Sequence, residues 1–260
     1  MERTSLALGG ASTDGVVPDL LRALSAELDS AIPRPGIRKR VLDVALASAL
    51  LLLVLPVLVL IALAVVIESP GPVFYRARRV GWRGRPLEML KFRKMAPQVR
   101  GGARVTVEGD ERLTRVGALL SRTRLDELPQ LWHVLRGEMS FVGPRPEDPH
   151  FVTARPQDYV EILKVRPGLT GLSQLAFADE RAILRADEPE RDYLERIFPQ
   201  KCALDRLYVR CSSASRDLSV LVWTGAAVLL RRQVAVHRAT GRLGLRRRPS
   251  SNGRSAVTAS

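Results

Sequence analysis

The run VLDVALASALLLLVLPVLVLIALAVVI, Val41–Ile67, decides how this chain is read. Only Asp43, Ser48 and Pro56 interrupt its aliphatic character. A straight helix of this length extends about 40 Å, enough to cross a hydrocarbon layer of about 30 Å. A helix buried inside a soluble protein is rarely apolar on all sides for so long. The run is therefore expected in a membrane. Arg34, Arg38, Lys39 and Arg40 precede it, and Arg76, Arg78, Arg79, Arg83 and Arg85 follow. Basic flanks prefer the cytoplasmic face, so both ends compete for the same side. Pro56 removes a helix hydrogen bond near the middle and permits a bend. A re-entrant helix satisfies both observations; a kinked spanning helix is the alternative. Asp43 lies one turn from Lys39 and Arg40 and is expected to pair with them at the interface, because a lone carboxylate in lipid is costly. Lys39, Arg40, Asp43 and Pro56 form the expected anchoring set.

Outward from this run the pattern is α/β, mainly helical. Ser69-Pro70-Gly71-Pro72 turns the chain away. Val73–Tyr75 and Leu87–Phe92 read as short strands of a hairpin, with Gly81 and Gly84 between them. Residues 96–112 read as a mobile Gly-rich loop. Helical spacing returns over Leu113–Leu120 and again from Asp126 to Leu135, where Leu128, Leu131, Trp132 and Leu135 share a face. Residues 156–165 suit a polar helix and 179–197 a solvated helix or loop. Leu218–Leu230 is short for a span but suits a helix on the core or at the interface. On the N-terminal side, 1–17 reads as a loose leader and Pro18–Ile32 as an amphipathic helix. The expected organisation is a leader with its helix (1–37), a re-entrant membrane helix (38–68), a small cytoplasmic catalytic domain with a β-hairpin and amphipathic interfacial helices (69–233), and a basic disordered tail (234–260).

The chain has 260 residues and a formal net charge of +14. Such an excess implies anionic partners: nucleic acid, anionic lipid or phosphorylated substrates. No nucleic-acid motif accompanies the charge. Cys202 and Cys211 have neither a metal-ligand spacing nor the number needed for a disulfide framework.

Chemistry concentrates in Thr123-Arg124-Leu125-Asp126-Glu127-Leu128-Pro129-Gln130-Leu131 and, downstream, Phe141-Val142-Gly143-Pro144-Arg145-Pro146. Adjacent carboxylates ringed by arginines suit phosphoryl transfer with a divalent metal: acids hold the cation or attack phosphorus, and guanidinium forks hold phosphate oxygens. Acids at a helix start also favour the positive end of its dipole without any further role. Thr123 is a candidate cap, although Pro129 argues for a helix start nearer Asp126.

The ordered motifs resemble the bacterial sugar transferase family, the monotopic polyprenyl-phosphate hexose-1-phosphate transferases, in their short form. They run from Lys39-Arg40-x-x-Asp43 through Ser69–Tyr75, Arg79-Val80-Gly81, Lys91-Phe92-Arg93-Lys94-Met95, Arg112–Gly117, Leu125–Leu131 and Val142–Pro146 to Arg166-Pro167-Gly168-Leu169-Thr170-Gly171. The resemblance implies transfer of a sugar 1-phosphate from a UDP-sugar to undecaprenyl phosphate, with UMP released, at the inner membrane on its cytoplasmic side. It implies Asp126 as nucleophile, Glu127 as its partner, Mg2+ near Asp126, and Arg145 on phosphate or nucleotide. Arg122, Arg124 and Arg166 are further candidates for phosphate contacts. Ser121, Lys94 and Leu172 stand where the family commonly has Arg, Thr and Trp. The rival reading is a non-catalytic basic protein tethered to membrane lipid, which needs charge but not these motifs. Oligomeric state is left open.

Overall fold

The computed structural model describes residues 21, 25, 26, 28, 36–96, 105–107, 109–185, 187–230 and 233–245. The leader 1–17 and the tail beyond Leu245 lie outside the described residues, as does most of the loop expected over 96–112. Of the helix expected over 18–32, Leu21, Ser25, Ala26 and Leu28 are described; all are helical, and Leu28 is buried in the main body.

The apolar run forms one helix, α1 (Ile37–Glu68), which continues through Pro56. Reduced exposure recurs at Asp43, Ala47, Leu50, Val54, Leu58, Ile61 and Val65. Those intervals of three and four residues mark one helix face. On the other side Leu52, Leu53, Val59, Leu60 and Leu63 are exposed, an apolar surface of a kind that marks membrane or protein contact.

Both ends of α1 are fastened to the same body. At its start Lys39 donates to Asp217 and, at 3.3 Å, to the Val142 carbonyl. Arg40 donates to the carbonyls of Val134 and Leu135. Asp43 is buried and accepts from the Phe141 N–H at 3.2 Å. The expected pairing of Asp43 with Lys39 and Arg40 is thus corrected. The helix begins against protein, where buried backbone groups need partners and these side chains supply them. At the far end the Glu68 carboxylate accepts from the N–H groups of Arg115 (2.8 Å) and Val116 (3.0 Å).

Strands β1 (Phe74–Val80) and β2 (Pro86–Phe92) pair antiparallel, with Phe74 opposite Phe92 and Val80 opposite Pro86. The reversal uses left-handed backbone at Arg83 (φ 59°) and Gly84 (φ 74°). Alternation along β2 buries Leu87 and Met89 and gives Lys91 the same orientation. Helix α2 (Arg115–Thr123) is capped by Thr114, whose Oγ1 accepts from the Gly117 N–H at 2.9 Å. Thr123, the expected cap of the next element, instead donates to Leu119 O at 2.8 Å. The helix expected from Asp126 to Leu135 divides into a 3-10 turn, Leu125–Gln130, and α3 (Leu131–Arg136). Pro129 supplies no N–H, and the tighter turn absorbs that loss.

Strand β3 (Ser140–Val142) pairs parallel with β4 (Gly168–Thr170). Here two motifs meet back to back. A Cβ on Gly168 would lie 2.1 Å from the Gly143 nitrogen, and one on Gly143 would lie 2.4 Å from the Arg166 carbonyl. The close approach seats Pro144 and Arg145 at the end of β3.

Helices α4 (Pro149–Ala154), α5 (Pro156–Ile162), α6 (Leu172–Ala176), α7 (Glu180–Ile183) and α8 (Pro189–Asp192) follow, the last running through a π turn (Tyr193–Ile197) into α9 (Phe198–Arg210). Residues 179–197, expected to be solvated, contribute Leu184, Tyr193 and Ile197 to a core with Phe151 and Phe198. Their charges pair locally, as in Arg196–Asp192 and Arg191–Glu195, which leaves the apolar side chains for the interior. Helix α10 (Ala214–Leu229) buries Val220 and exposes Leu218, Val222 and Leu229. The tail expected to be disordered from Val234 begins with a hairpin, β5 (Val234–Val236) against β6 (Leu243–Leu245), and Val234 is buried. Short alternating apolar triplets around Gly241 (φ 66°) outweigh the basic composition there.

Gly168→Ala is expected to lower stability by at least the ~1–3 kcal/mol typical of overpacking, since backbone atoms would have to move. A thermal unfolding midpoint equal to wild type would show that the two loops are not in this close contact.

Candidate active site

The site begins with a backbone reversal. Arg124 sits between α2 and the 3-10 turn at φ 60° and ψ 15°. A left-handed conformation costs an L-residue about 1–2 kcal/mol, and strain of this kind gathers where side chains must be aimed. Just beyond it Asp126 and Glu127 face a cleft, also lined by Arg79, Lys91, Arg145 and Arg181.

The adjacent acids have different surroundings. Glu127 accepts from both Nη atoms of Arg145 and from Lys91 Nζ at 2.9 Å. Burial pushes the Glu127 carboxyl up, but Arg145 and Lys91 outweigh it and hold the group well below the usual carboxylate range. Burial in turn lowers the Lys91 amine to about 8, with Glu127 opposing the shift. Asp126 is the more buried of the two, yet its ion-pair partner among the described residues is Lys94 alone, with Nζ 3.6 Å from Oδ2. One carboxylate is locked by two cations, while its neighbour stays available.

Another wall is a polar network. Glu147 accepts from Tyr193 Oη at 2.6 Å and from Arg79 at 3.3 Å. Lys201 donates to Glu180 at 2.8 Å and to Tyr193 at 2.9 Å. Arg181 donates to the Ser121 hydroxyl at 2.5 Å and to its carbonyl at 2.6 Å. A guanidinium brought from α7 thus docks on the small Ser121 side chain.

Of the residues expected from sequence, Asp126, Glu127, Arg124 and Arg145 converge here. Arg122 does not: it is exposed on α2, ahead of the Arg124 reversal, and is not part of the cleft lining. Arg166 does not either. It lies between α5 and β4 with its guanidinium 4.8 Å from the Trp82 ring centre, outside the cleft lining. Lys91 and Lys94 lie in a quoted motif, and strand alternation was the signal that could have assigned Lys91 inward. Nothing in the charged stretch around Arg181 marked it, nor did anything mark Lys201, because both arrive through long-range packing.

Magnesium was implied by resemblance. Among the described residues no cluster of three or more His, Cys, Asp or Glu could hold a metal. With Glu127 held by cations, Asp126 is the acid left to offer an oxygen. One carboxylate suits an ion that commonly completes its shell with substrate phosphates and water.

The bacterial sugar transferase family model matches residues 35–231. The chain is 40% identical over 208 residues to the UDP-glucose:undecaprenyl-phosphate glucose-1-phosphate transferase of Caulobacter vibrioides, covering 76% of this chain and 73% of that one. It is 36% identical over 216 residues to the exopolysaccharide production protein ExoY of Rhizobium meliloti, covering 77% and 89%. A UDP-glucose:undecaprenyl-phosphate glucose-1-phosphate transferase of Escherichia coli is 38% identical over 196 residues; the match covers 72% of this chain but 39% of that longer protein. The family match and the conjunction of cleft, acid pair and arginines lead to one conclusion: the chain belongs to the bacterial sugar transferase family and is, with it, a phosphoglycosyl transferase.

Proposed function

We propose that this chain transfers a sugar 1-phosphate from a UDP-sugar to undecaprenyl phosphate through a covalent phosphoryl intermediate on Asp126, as the first membrane step in assembling an exopolysaccharide, capsule or O-antigen. The names of its relatives support the substrate classes, with UDP-glucose the first donor to test. The observation that carries the mechanism is the contrast between the two acids: Arg145 and Lys91 hold Glu127, whereas Asp126 faces the cleft with one distant cation.

In the first step an Asp126 oxygen attacks the phosphorus bearing the sugar. The bond from that phosphorus to the bridging oxygen breaks, and UMP leaves with the electron pair. In the second step an oxygen of the lipid phosphate attacks the same phosphorus. The bond to Asp126 breaks, restoring the carboxylate and yielding the lipid diphosphate sugar. Two displacements replace one between bulky anions. Arg124 and Lys94 stand where charge gathers on the phosphoryl oxygens. Magnesium, held by Asp126 together with the diphosphate, would supply Lewis-acid stabilisation of that charge. Glu127 and Arg145 act as a fixed pair that sets the backbone carrying Asp126.

The same reading puts α1 in the cytoplasmic membrane as a re-entrant helix, with the catalytic body facing the cytoplasm and its exposed apolar face in lipid. Attachment of both α1 ends to one body supports it. An amphipathic α10 would lie at the interface.

Asp126→Asn should cut UMP release from UDP-glucose and undecaprenyl phosphate by at least about a thousandfold while membrane association persists; near-normal turnover would remove Asp126 as the nucleophile. Turnover should also fall as pH rises through about 8, where Lys91 passes from charged to neutral and Glu127 loses one of its cations. Lys91→Arg, whose side chain stays charged, should shift that limb upward, and an unmoved limb would assign it to another group. Single cysteines at Arg38 and Ser69 should both label from the cytoplasmic side; labelling from opposite sides would mean a spanning helix.

A further inference from the structure

The cations facing the cleft fall into two sets. Arg145 and Lys91 are paired with Glu127, Arg79 with Glu147, and Lys201 with Glu180. Lys94 leans towards Asp126. Two guanidiniums are left whose hydrogen-bond partners among the described residues are neutral. Arg124 donates to the Ala178 carbonyl, and Arg181 to the Ser121 hydroxyl and carbonyl. Both line the cleft that holds Asp126. Two like charges lining one cleft with only neutral partners are poorly compensated, and a dianion would relieve them.

We infer that Arg181, together with Arg124, is the seat of the donor's diphosphate. This rests on the transferase reading above and names a residue that the sequence did not bring forward. Each phosphate of a nucleoside diphosphate sugar carries one negative charge, and each guanidinium presents a planar fork matched to phosphate oxygens. Arg181 is held ready for this. Its two bonds to Ser121 use one edge of the guanidinium. The segment just before it is tied down twice, since Glu180 pairs with Lys201 and Asp179 accepts from Gln233 Nε2 at 2.6 Å. The second of those ties comes from the residue preceding β5, so the C-terminal hairpin braces the wall that carries Arg181. Arg124 is aimed by its left-handed backbone two residues before Asp126, which sets the dianion beside the attacking oxygen.

The test measures binding of UDP and of UMP to detergent-solubilised full-length protein by equilibrium dialysis, for wild type, Arg181→Gln and Arg181→Lys, with UMP release measured alongside. Wild type should bind UDP more tightly than UMP. Arg181→Gln should weaken UDP at least tenfold, leave UMP within about threefold, and so collapse the ratio; Arg181→Lys should recover part of it. The ratio is read within one preparation, so partial loss of folded protein cancels, and Arg181→Lys provides a reading if the Gln variant does not fold. A UDP-to-UMP ratio unchanged in both variants, or absent in wild type, overturns the assignment. If wild type releases UMP and the ratio is unchanged, this inference alone fails. If wild type releases no UMP from any donor while the ratio collapses in Arg181→Gln, the diphosphate seat stands and the transfer reaction does not.

Discussion

A half-buried carboxylate shared by two cations from distant parts of the chain holds this molecule in register. Glu127 sits on the 3-10 turn, Lys91 on β2, and Arg145 at the end of β3. Drawing three charges partly out of water is costly, and only good geometry repays it. Removing Glu127 would leave two neighbouring cations uncompensated, a change that in a buried pair typically costs about 3–5 kcal/mol. The triad therefore fixes where the hairpin, the turn and the β3–β4 pair stand relative to one another. Asp126 is the beneficiary: its neighbour absorbs the nearby positive charge, so its own oxygens remain open to the cleft.

The apolar helix is part of the same construction. Asp43 holds the Phe141 N–H, and Lys39 holds the Val142 carbonyl, within β3, whose end carries Arg145. Tyr208 supports that node from α9, donating to Asp217 at 2.6 Å, and Asp217 in turn holds Lys39. At the other end Glu68 caps α2, the helix that leads into Arg124 and Asp126. A helix suited to lipid is thus bonded at its start to the strand before Arg145 and at its finish to the helix before Asp126. Displacing either end would move one side of the cleft against the other.

Much of the architecture was legible from local patterns. The length of Val41–Ile67 left little choice but a long helix, and the glycines after Val80 pointed to a reversal. The spacing of Asp126, Glu127 and Arg145 was open to chemical argument because phosphate chemistry needs those groups together. Where reading failed, composition had hidden pattern. The charges of 179–197 and the arginines after Val234 concealed short apolar alternations that pack inward. Asp43 was misread for a related reason: a carboxylate beside a lipid-suited run finds its nearest cations in sequence, whereas the folded chain offered it a backbone N–H.

By itself, then, the sequence determined the long apolar helix, the hairpin and the acid pair, because each depends on residues adjacent or a few positions apart. Only the tertiary structure decided which arginines serve the cleft. Arg122 and Arg124 are nearly neighbours in sequence and both are exposed, yet Arg124, at the left-handed turn, lines the cleft and Arg122 does not. Arg166 lies in a motif and packs on Trp82, while Arg181 comes from an unmarked stretch to meet Ser121. A guanidinium reaches several ångströms from its backbone, so where it acts is set by the surfaces folded around it.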